Sequence, residues 1–286
     1  MLGQADALFQ SVKSMEYVCY RASEATDDEL QRLLRELTEA GVTIIDLDAQ
    51  GAKAQLSPRP ETTLLLAGSQ QTALLTEGTP MATVGYGSAA QADILVEGFE
   101  EVNVQFLDRI MKRAQGLPWI TVVTERCFLR EITLDDMDDL FALYAAPGIT
   151  DYTEPLYERP REEQYTRDYI ENMYRFYGYG MWLVCDRKTG ALIGRAGFSH
   201  QDLGDEIVLE MGYLIGVPYQ RQGYAAEVCE KLIDFARTNL ADFETLNCFV
   251  EPENTASRGL MHKLAFFECG TVTIGEKVMV RYQTPL

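Results

Sequence analysis

Residues 206–227 read EIVLEMGYLIGVPYQRQGYAAE, and this stretch decides how the second half of the chain folds. Glu206–Val217 is a mostly apolar run that includes β-branched and aromatic residues, which predicts a strand. Ala225–Leu240 repeats its apolar residues at helical spacing, which predicts an amphipathic helix. The turn between the two, Gln220–Ala225, has the pattern Q-x-x-G-x-A and places small residues where the helix should begin.

This turn is suited to holding an anion. The first N–H groups of a helix have no intrahelical partner, and the helix dipole adds partial positive charge there. Small residues at Gly223 and Ala225 let phosphate oxygens approach these groups, and Arg221 can add a charge-assisted hydrogen bond. The turn therefore predicts a pyrophosphate site, with a plain strand-to-helix turn as the alternative. It is neither a Walker loop nor a GxGxxG loop.

The composition argues against several classes of partner. The chain has 286 residues and a formal net charge of −19 without a basic stripe, which disfavours nucleic acid and anionic membranes. An acidic surface favours a cationic substrate, with plain solubility as the alternative. Six cysteines lack metal-ligand spacing and only two histidines occur, so we expect no metal and a reducing, cytoplasmic location. The first residues do not resemble a signal peptide, and no apolar run reaches the roughly 20 residues of a membrane span.

The chain divides into two halves with different patterns. In the first half, short apolar runs alternate with helical segments, which predicts a doubly wound parallel α/β domain. Gly116-Leu117-Pro118 breaks the last helix of this half, so we place the boundary between residues 1–119 and 120–286. The predicted elements of the first half are helices Thr26–Ala40, with a capping box at Thr26 and Glu29, and Asn103–Gln115, and strands Val42–Asp48, Thr63–Ser69, Met81–Gly87 and Ala92–Phe99.

The second half predicts a mixed α+β sheet. A strand pair and two helices come first, then an antiparallel meander of three strands, and finally strands alternating with helices. These later elements are helices Thr133–Ala145 and Arg161–Tyr177, strands Met181–Asp186, Ala191–His200, Ile207–Ile215 and Glu244–Glu251, the helix Ala256–Leu264 and a terminal strand Lys277–Gln283.

Several motifs of the second half occur together in one known family. Gly212–Glu227 resembles the acetyl-coenzyme A motif [QR]-x-x-G-x-[GA] of the GNAT N-acetyltransferases, and most of all their branch of ribosomal-protein N-terminal acetyltransferases. The resemblance covers residues 121–286, and its other motifs are FLREITLDDMDDLFALY, IGRAGF, EMGY and ENTASRGLMHKLAFFECG. It implies a sheet splayed between Ile207–Ile215 and Glu244–Glu251, with acetyl-coenzyme A as cosubstrate.

The resemblance also implies which residues hold that cosubstrate. The pantetheine arm should pair with the main chain of the strand before the turn, and the pyrophosphate should lie on the turn itself. Asn254 should contact pantetheine, although an asparagine before a helix is also a favoured helix cap. The cosubstrate residues are Tyr213, Leu214, Ile215, Gln220, Arg221, Gln222, Gly223, Tyr224, Ala225, Asn254 and Ser257.

Acetyl transfer to an amine needs a base, because an alkyl ammonium ion must lose a proton before it can attack a thioester. Strand alternation places Glu210 among small and apolar neighbours, so we assign it as the candidate general base. The alternative is an ion pair with a lysine or arginine across the sheet. Many relatives return a proton from a tyrosine where this chain has Met261, so Tyr213 and His200 are weak candidate acids.

The acceptor site should lie against Leu156–Trp182, which is dense in tyrosine and acid. One helical face carries Tyr165, Tyr169, Met173 and Phe176 or Tyr177, and simple packing on the sheet is the alternative. Asp151, Glu154 and Glu158 would suit a cation. We therefore expect an amine acceptor: a peptide N-terminus, a lysine, a polyamine or an aminoglycoside. The alternative function is a noncatalytic acetyl-coenzyme A-binding regulatory protein, and either could form a homodimer.

Residues 63–99 weakly resemble the later half of a haloacid-dehalogenase-type phosphatase domain. That family needs an aspartate nucleophile in a DxD turn and an acidic metal site. Asp46-Leu47-Asp48 lacks the residues that should follow it, and the turn at Gly68-Ser69-Gln70 has no acid. We therefore expect the first half to be a noncatalytic relative, with Asp46 and Asp48 serving only to solvate a strand end.

Overall fold

The computed structural model describes residues 15–25, 27–49, 59–204 and 206–286. These residues form two compact units that divide between Trp119 and Ile120. Each unit has its own sheet and its own buried apolar core. The strands and helices below are numbered along the described residues.

The first unit is built on a five-stranded parallel sheet with strand order β2-β1-β3-β4-β5. One face of the sheet packs against two long helices through residues such as Val18, Leu64 and Val84, and the other face, with Cys19 and Leu65, packs on a short helix. The strands are β1 Tyr17–Tyr20, β2 Thr43–Asp46, β3 Thr63–Ala67, β4 Ala82–Gly85 and β5 Ile94–Leu95; the helices are α1 Asp28–Glu39, α2 Gln70–Ala73 and α3 Val104–Ala114.

The parallel α/β class of this unit is confirmed, with one strand more than the sequence predicted. The unpredicted β1 lies between β2 and β3. Helix α1 begins at Asp28, and the carboxylate of Asp27 caps it by accepting a hydrogen bond from the Glu29 N–H. The predicted cap, Thr26, lies outside the described residues.

The second unit contains an eight-stranded mixed sheet with strand order β12-β13-β11-β10-β9-β8-β7-β6. Every neighbouring pair is antiparallel except β10 and β11, which run parallel. The mixed α+β class is confirmed, and β12 is an edge strand that the sequence did not predict. The strands are β6 Ile120–Val123, β7 Cys127–Arg130, β8 Met181–Asp186, β9 Leu192–Asp202, β10 Ile207–Ile215, β11 Thr245–Val250, β12 Phe267–Ile274 and β13 Lys277–Pro285; the helices are α4 Met137–Tyr144, α5 Arg159–Tyr169, α6 Arg175–Tyr177, α7 Tyr224–Asn239 and α8 Thr255–Lys263.

The sheet opens between β10 and β11. These strands pair only at Leu209 with Leu246 and at Glu210 with Asn247, and beyond that point the ladder stops. The buried Asn247 side chain lies at the start of the opening, where its Nδ2 donates to the Leu209 carbonyl at 3.2 Å. Arg281 Nε donates to Asn247 Oδ1 at 2.9 Å. The splayed strands expected from the resemblance are therefore present.

The predicted helix Arg161–Tyr177 is interrupted by a π-helical turn over Ile170–Tyr174, which separates α5 from α6. A π turn adds one residue to the helical repeat, so the buried face shifts by one position beyond it. Tyr174 is consequently the fully buried residue, and Met173 is only partly buried. The Tyr174 hydroxyl donates to the Met181 carbonyl at 2.6 Å.

Five of the six cysteines are buried and Cys269 is exposed. In the described part of the chain, no helix combines the length and apolarity that crossing a bilayer requires.

Candidate functional site

The end of β10, the start of α7 and the start of α8 enclose a cavity of about 610 Å³, which we call the groove. The sequence predicted eleven residues for the cosubstrate, and all but Gln222 line the groove: Tyr213, Leu214, Ile215, Gln220, Arg221, Gly223, Tyr224, Ala225, Asn254 and Ser257. The Gln222 side chain instead donates from Nε2 to the Pro218 carbonyl at 2.7 Å, which braces the turn.

The turn before α7 has the backbone conformation that an anion site requires. Arg221 and Gly223 both have positive φ angles, 61° and 84°. No side chain caps α7. The N–H groups of its first three residues, 224–226, have no partner in the described chain and can donate to a ligand. The Gln220 side chain donates from Nε2 to the Ile215 carbonyl at 2.9 Å, which ties the turn to the end of β10.

Arg126 braces the same turn from a distant part of the sequence. Its guanidinium pairs with Glu227 at 2.6 Å and lies 4.1 Å from the centre of the Tyr224 ring. Its Nη1 also donates to the Gln222 carbonyl at 3.0 Å. Sequence reasoning missed this residue because its partner Glu227 is 101 positions away.

Asn254 caps α8, since its Oδ1 accepts a hydrogen bond from the Ser257 N–H at 3.0 Å. The cap reading is therefore correct. The amide Nδ2 makes no hydrogen bond to the described residues, and Asn254 lines the groove. One side chain can thus both cap the helix and donate to a ligand.

A second cavity of about 760 Å³ adjoins the groove, and we call it the tyrosine cavity. Its floor includes Arg195 of β9 and Glu210 of β10, and its walls include the tyrosines Tyr144, Tyr152, Tyr157 and Tyr165. The two cavities meet, because both are lined by Tyr152, Thr153, Tyr213, Leu214, Asn254 and Ser257. An acyl group held at the end of the groove would therefore face the tyrosine cavity.

Glu210 lies on the floor of the tyrosine cavity next to the point where β10 and β11 separate. Within the described part of the chain its one hydrogen-bond partner is Ser199, whose hydroxyl donates to Oε2 at 3.4 Å. Burial raises the pKa of Glu210, and the Ser199 hydrogen bond only partly offsets the rise. No lysine or arginine of the described chain forms the ion pair that was the alternative for this carboxylate.

The three positions considered for a general acid differ in their surroundings. The Tyr213 hydroxyl is buried where the cavities meet, and burial raises its pKa, which the nearby Ser257 side chain offsets only in part. Met261 is fully buried in the core. His200 forms a 2.8 Å hydrogen bond with the Tyr179 hydroxyl and lines neither cavity, so it is not placed to protonate a group held there.

The tyrosines of the predicted face have separate roles. Tyr165 lines the tyrosine cavity, whereas the Tyr169 hydroxyl accepts a hydrogen bond from the Met181 N–H at 2.6 Å and holds α5 on the sheet. Phe176 points away from both cavities and is 79% exposed.

Of the three acids expected to attract a cationic acceptor, Asp151, Glu154 and Glu158, only one lines the tyrosine cavity. Glu154 lines the tyrosine cavity, but it forms an ion pair with Lys277 at 3.3 Å. Asp151 lines the groove instead, and Glu158 lines neither cavity.

Among the described residues no group of three or more His, Cys, Asp or Glu side chains could hold a metal ion. In the first unit, the candidate DxD acids make local contacts. Asp46 accepts from the Ala22 N–H at 3.1 Å, and Asp48 pairs with Arg21 at 2.8 Å. The resemblance of this unit to a haloacid-dehalogenase domain stays a prediction.

Comparison with known proteins identifies the family. The model of the acetyltransferase (GNAT) domain matches residues 126–266. The N-acetyltransferase p20 of Bacillus licheniformis is 31% identical over 166 residues, which cover 56% of this chain and 90% of p20. The protein YkkB of Bacillus subtilis (strain 168) is 25% identical over 166 residues, which cover 57% of this chain and 94% of YkkB.

Two solved structures share the fold. RimL, described as a ribosomal L7/L12 alpha-N-protein acetyltransferase, is 13% identical with a TM-score of 0.50, covering 60% of this chain and 97% of RimL. A protein from Bacillus halodurans is 14% identical with a TM-score of 0.50, covering 59% of this chain and 90% of that protein.

The sheet that opens between β10 and β11, together with the groove at the start of α7, is the fold of an acyltransferase. The chain belongs to the GNAT acetyltransferase family and is an acyltransferase enzyme. Members of this family use acetyl-coenzyme A as cosubstrate.

Proposed function

We propose that this enzyme transfers the acetyl group of acetyl-coenzyme A directly to a primary amine, with Glu210 as general base. The observation that carries the proposal is the position of Glu210. It is a half-buried carboxylate that forms no ion pair with the described residues, on the floor of a cavity that opens into the groove. A carboxylate so placed can accept the proton of an incoming ammonium group.

The groove fits the acyl donor chemically. Three N–H groups at the start of α7 and the side chain of Arg221 can donate to a pyrophosphate. Above them, β10 has lost its ladder to β11, so its main-chain groups can pair with the amides of a pantetheine arm. Asn254 Nδ2 is a further donor on this path.

The raised pKa of Glu210 supports its role as a base. A carboxylate of ordinary pKa holds a proton weakly at neutral pH, whereas a raised pKa brings its basicity closer to that of the group it must deprotonate. The amine attacks the thioester carbonyl, its proton passes to Glu210, and the thiolate of coenzyme A leaves. Tyr213 is the candidate donor to that thiolate, because its protonated hydroxyl lies where the groove meets the tyrosine cavity.

The test follows thiol release from acetyl-coenzyme A with a panel of amines: N-terminal peptides, lysine, polyamines and aminoglycosides. We expect at least one amine to drive release, and we expect Glu210→Gln to slow that release about 10²- to 10⁴-fold while coenzyme A still binds. Binding without release by any amine would contradict catalysis of this type. Loss of coenzyme A affinity in Glu210→Gln would show that this side chain shapes the groove.

A further inference from the structure

Arg195 is a half-buried cation on the floor of the tyrosine cavity, and the described residues give it no anionic partner. Its Nη1 donates to the Tyr144 hydroxyl at 3.3 Å, and its Nε is buried without a hydrogen bond. No carboxylate of the described residues lies within ion-pair distance of it. A guanidinium cannot lose its charge at physiological pH, so its unmet donors favour an anion from outside.

Arg130 on the same sheet makes the contrast clear. Arg130 and Arg195 lie in one row across the sheet, since both are in register with Leu183 of β8. Arg130 is neutralised by Asp136 through two hydrogen bonds of 2.8 and 2.6 Å. One half-buried arginine of this row is therefore paired within the protein, and the other is left open to a cavity.

The surroundings point to the acceptor as the source of the anion. Arg195 lines the tyrosine cavity but not the groove, so it does not serve the pyrophosphate of coenzyme A. It shares a sheet face with Glu210, because Arg195 is in register with Leu214 and Ser199 with Glu210. Glycines occupy the paired positions between them, Gly197 and Gly212, so no side chain of β9 or β10 separates the two charges. The Met181 side chain of β8 covers Gly212 and lines the same cavity.

We propose that the acceptor is a small amino carboxylate, whose amine is placed at Glu210 and whose carboxylate binds Arg195. A planar carboxylate can accept two parallel hydrogen bonds from a guanidinium fork. The part of the acceptor between its amine and its carboxylate would lie against the cavity side chains of Tyr144, Tyr157 and Tyr165. This inference rests on the proposed function and narrows its acceptor from amines in general to zwitterions.

The length of the acceptor can also be bounded. Glu210 and Leu214, the partner of Arg195, are four residues apart on β10, which corresponds to about 13 Å along the strand. Both side chains reach into one cavity, so the amine and carboxylate of the best acceptor should be separated by less than this distance.

The test uses the intact enzyme, acetyl-coenzyme A and matched acceptors with and without a carboxylate. The ω-amino acids glycine, β-alanine, γ-aminobutyrate and 6-aminohexanoate are compared with methylamine, ethylamine, propylamine and pentylamine, and lysine is compared with cadaverine. We expect the best carboxylated acceptor to exceed its partner at least 10-fold in kcat/KM. Arg195→Gln should raise KM for that acceptor about 10- to 100-fold and leave kcat/KM for the plain amine within about 3-fold, as expected for loss of a charged hydrogen bond. Arg195→Lys, which keeps the charge without the fork, should fall between the two.

The outcomes separate this inference from the proposed function. If plain amines react as well as carboxylated ones, or if Arg195→Gln impairs both equally, the carboxylate subsite is wrong and amine acetylation stands. If no amine of any kind drives thiol release in the unmodified enzyme, both are wrong. Coenzyme A titration of Arg195→Gln serves as the control, since its affinity should match that of the unmodified enzyme.

Discussion

Replacing Glu210 by glutamine tests the chemistry most directly, because the substitution keeps the shape of the side chain and removes its basicity. The glutamine can still accept the hydrogen bond from Ser199, which lies 3.4 Å from Oε2. Loss of a positioned base typically costs 10²- to 10⁴-fold in rate, which is roughly 3–5 kcal/mol of transition-state stabilisation. We expect kcat to fall by this factor, with the affinity for coenzyme A unchanged.

The pH dependence gives the same residue a second signature. The base must be ionised to act, so kcat/KM should fall as the pH falls through the pKa of Glu210. Burial raises that pKa, so this limb should lie above the usual carboxyl range. In Glu210→Gln, kcat/KM should no longer show this fall at acid pH. Stopped-time thiol assays across the pH range would measure both profiles.

Stability should change in the opposite direction to activity. A carboxyl group whose pKa is raised by folding binds its proton more tightly in the folded state. Its ionisation therefore destabilises the fold increasingly as the pH rises from the unfolded pKa to the folded one, and fully above it. Glu210→Gln should thus unfold at higher urea concentration than the parent at neutral pH and at the same concentration in acid. An equal loss of stability and activity, or a pH limb that survives in the variant, would refute the reasoning.

Three further substitutions test the groove and the fold. Gly223→Ala places a side chain at φ 84°, so it should lower the free energy of unfolding in urea by about 1–2 kcal/mol and weaken coenzyme A binding in calorimetry. The control is Gly275→Ala, at φ 60° in an open turn, which should lower stability without changing coenzyme A affinity. Asn254→Ala should lower stability by about 1 kcal/mol and weaken coenzyme A binding, whereas Asn254→Ser should restore the cap but not the binding, and full recovery of affinity in the serine variant would count against the amide donor. Asp136→Asn leaves Arg130 buried and unpaired, so it should cost about 3–5 kcal/mol, while Asp138→Asn, in an exposed pair with Arg159, should change the unfolding midpoint little. Burial raises the pKa of Asp136, but the interaction with Arg130 is stronger and the net pKa is lowered. The ion pair should therefore stabilise the fold fully above the usual aspartate pKa and lose this effect as the pH falls through the lowered pKa. An unfolding midpoint that does not change over this acid range would contradict a stabilising Asp136–Arg130 pair.

The phosphate turn and Glu210 could be predicted from sequence because both follow from local pattern. Strand alternation alone places Glu210 apart from Leu209 and Met211, and the turn needs only small residues at the start of a helix. The structure brings these predicted residues to adjoining cavities.

The remaining features depend on contacts between distant parts of the chain. The setting of Arg195 depends on the fold, which brings Tyr144 from 51 residues away and places no acid of the described chain beside the guanidinium. Strand β12 escaped prediction because an exposed edge strand buries little and because its alternation changes phase at the irregularity between Glu268 and Thr271, although β13 satisfies its main chain. The buried position of this helix is Tyr174 and not the predicted Met173, because a π turn adds a residue and the sequence carries no clear local signal for that turn.

Asn247 determines how far the sheet is open. Its amide bridges the last paired residues of β10 and β11, and Arg281 and Glu206 continue the chain of contacts at 2.9 and 2.8 Å to the sheet surface. Without these contacts, β10 and β11 could move further apart, or they could pair at one more position and narrow the gap. This polar brace fixes the width of the gap before any ligand arrives, so the enzyme does not have to spend binding energy on parting its own strands.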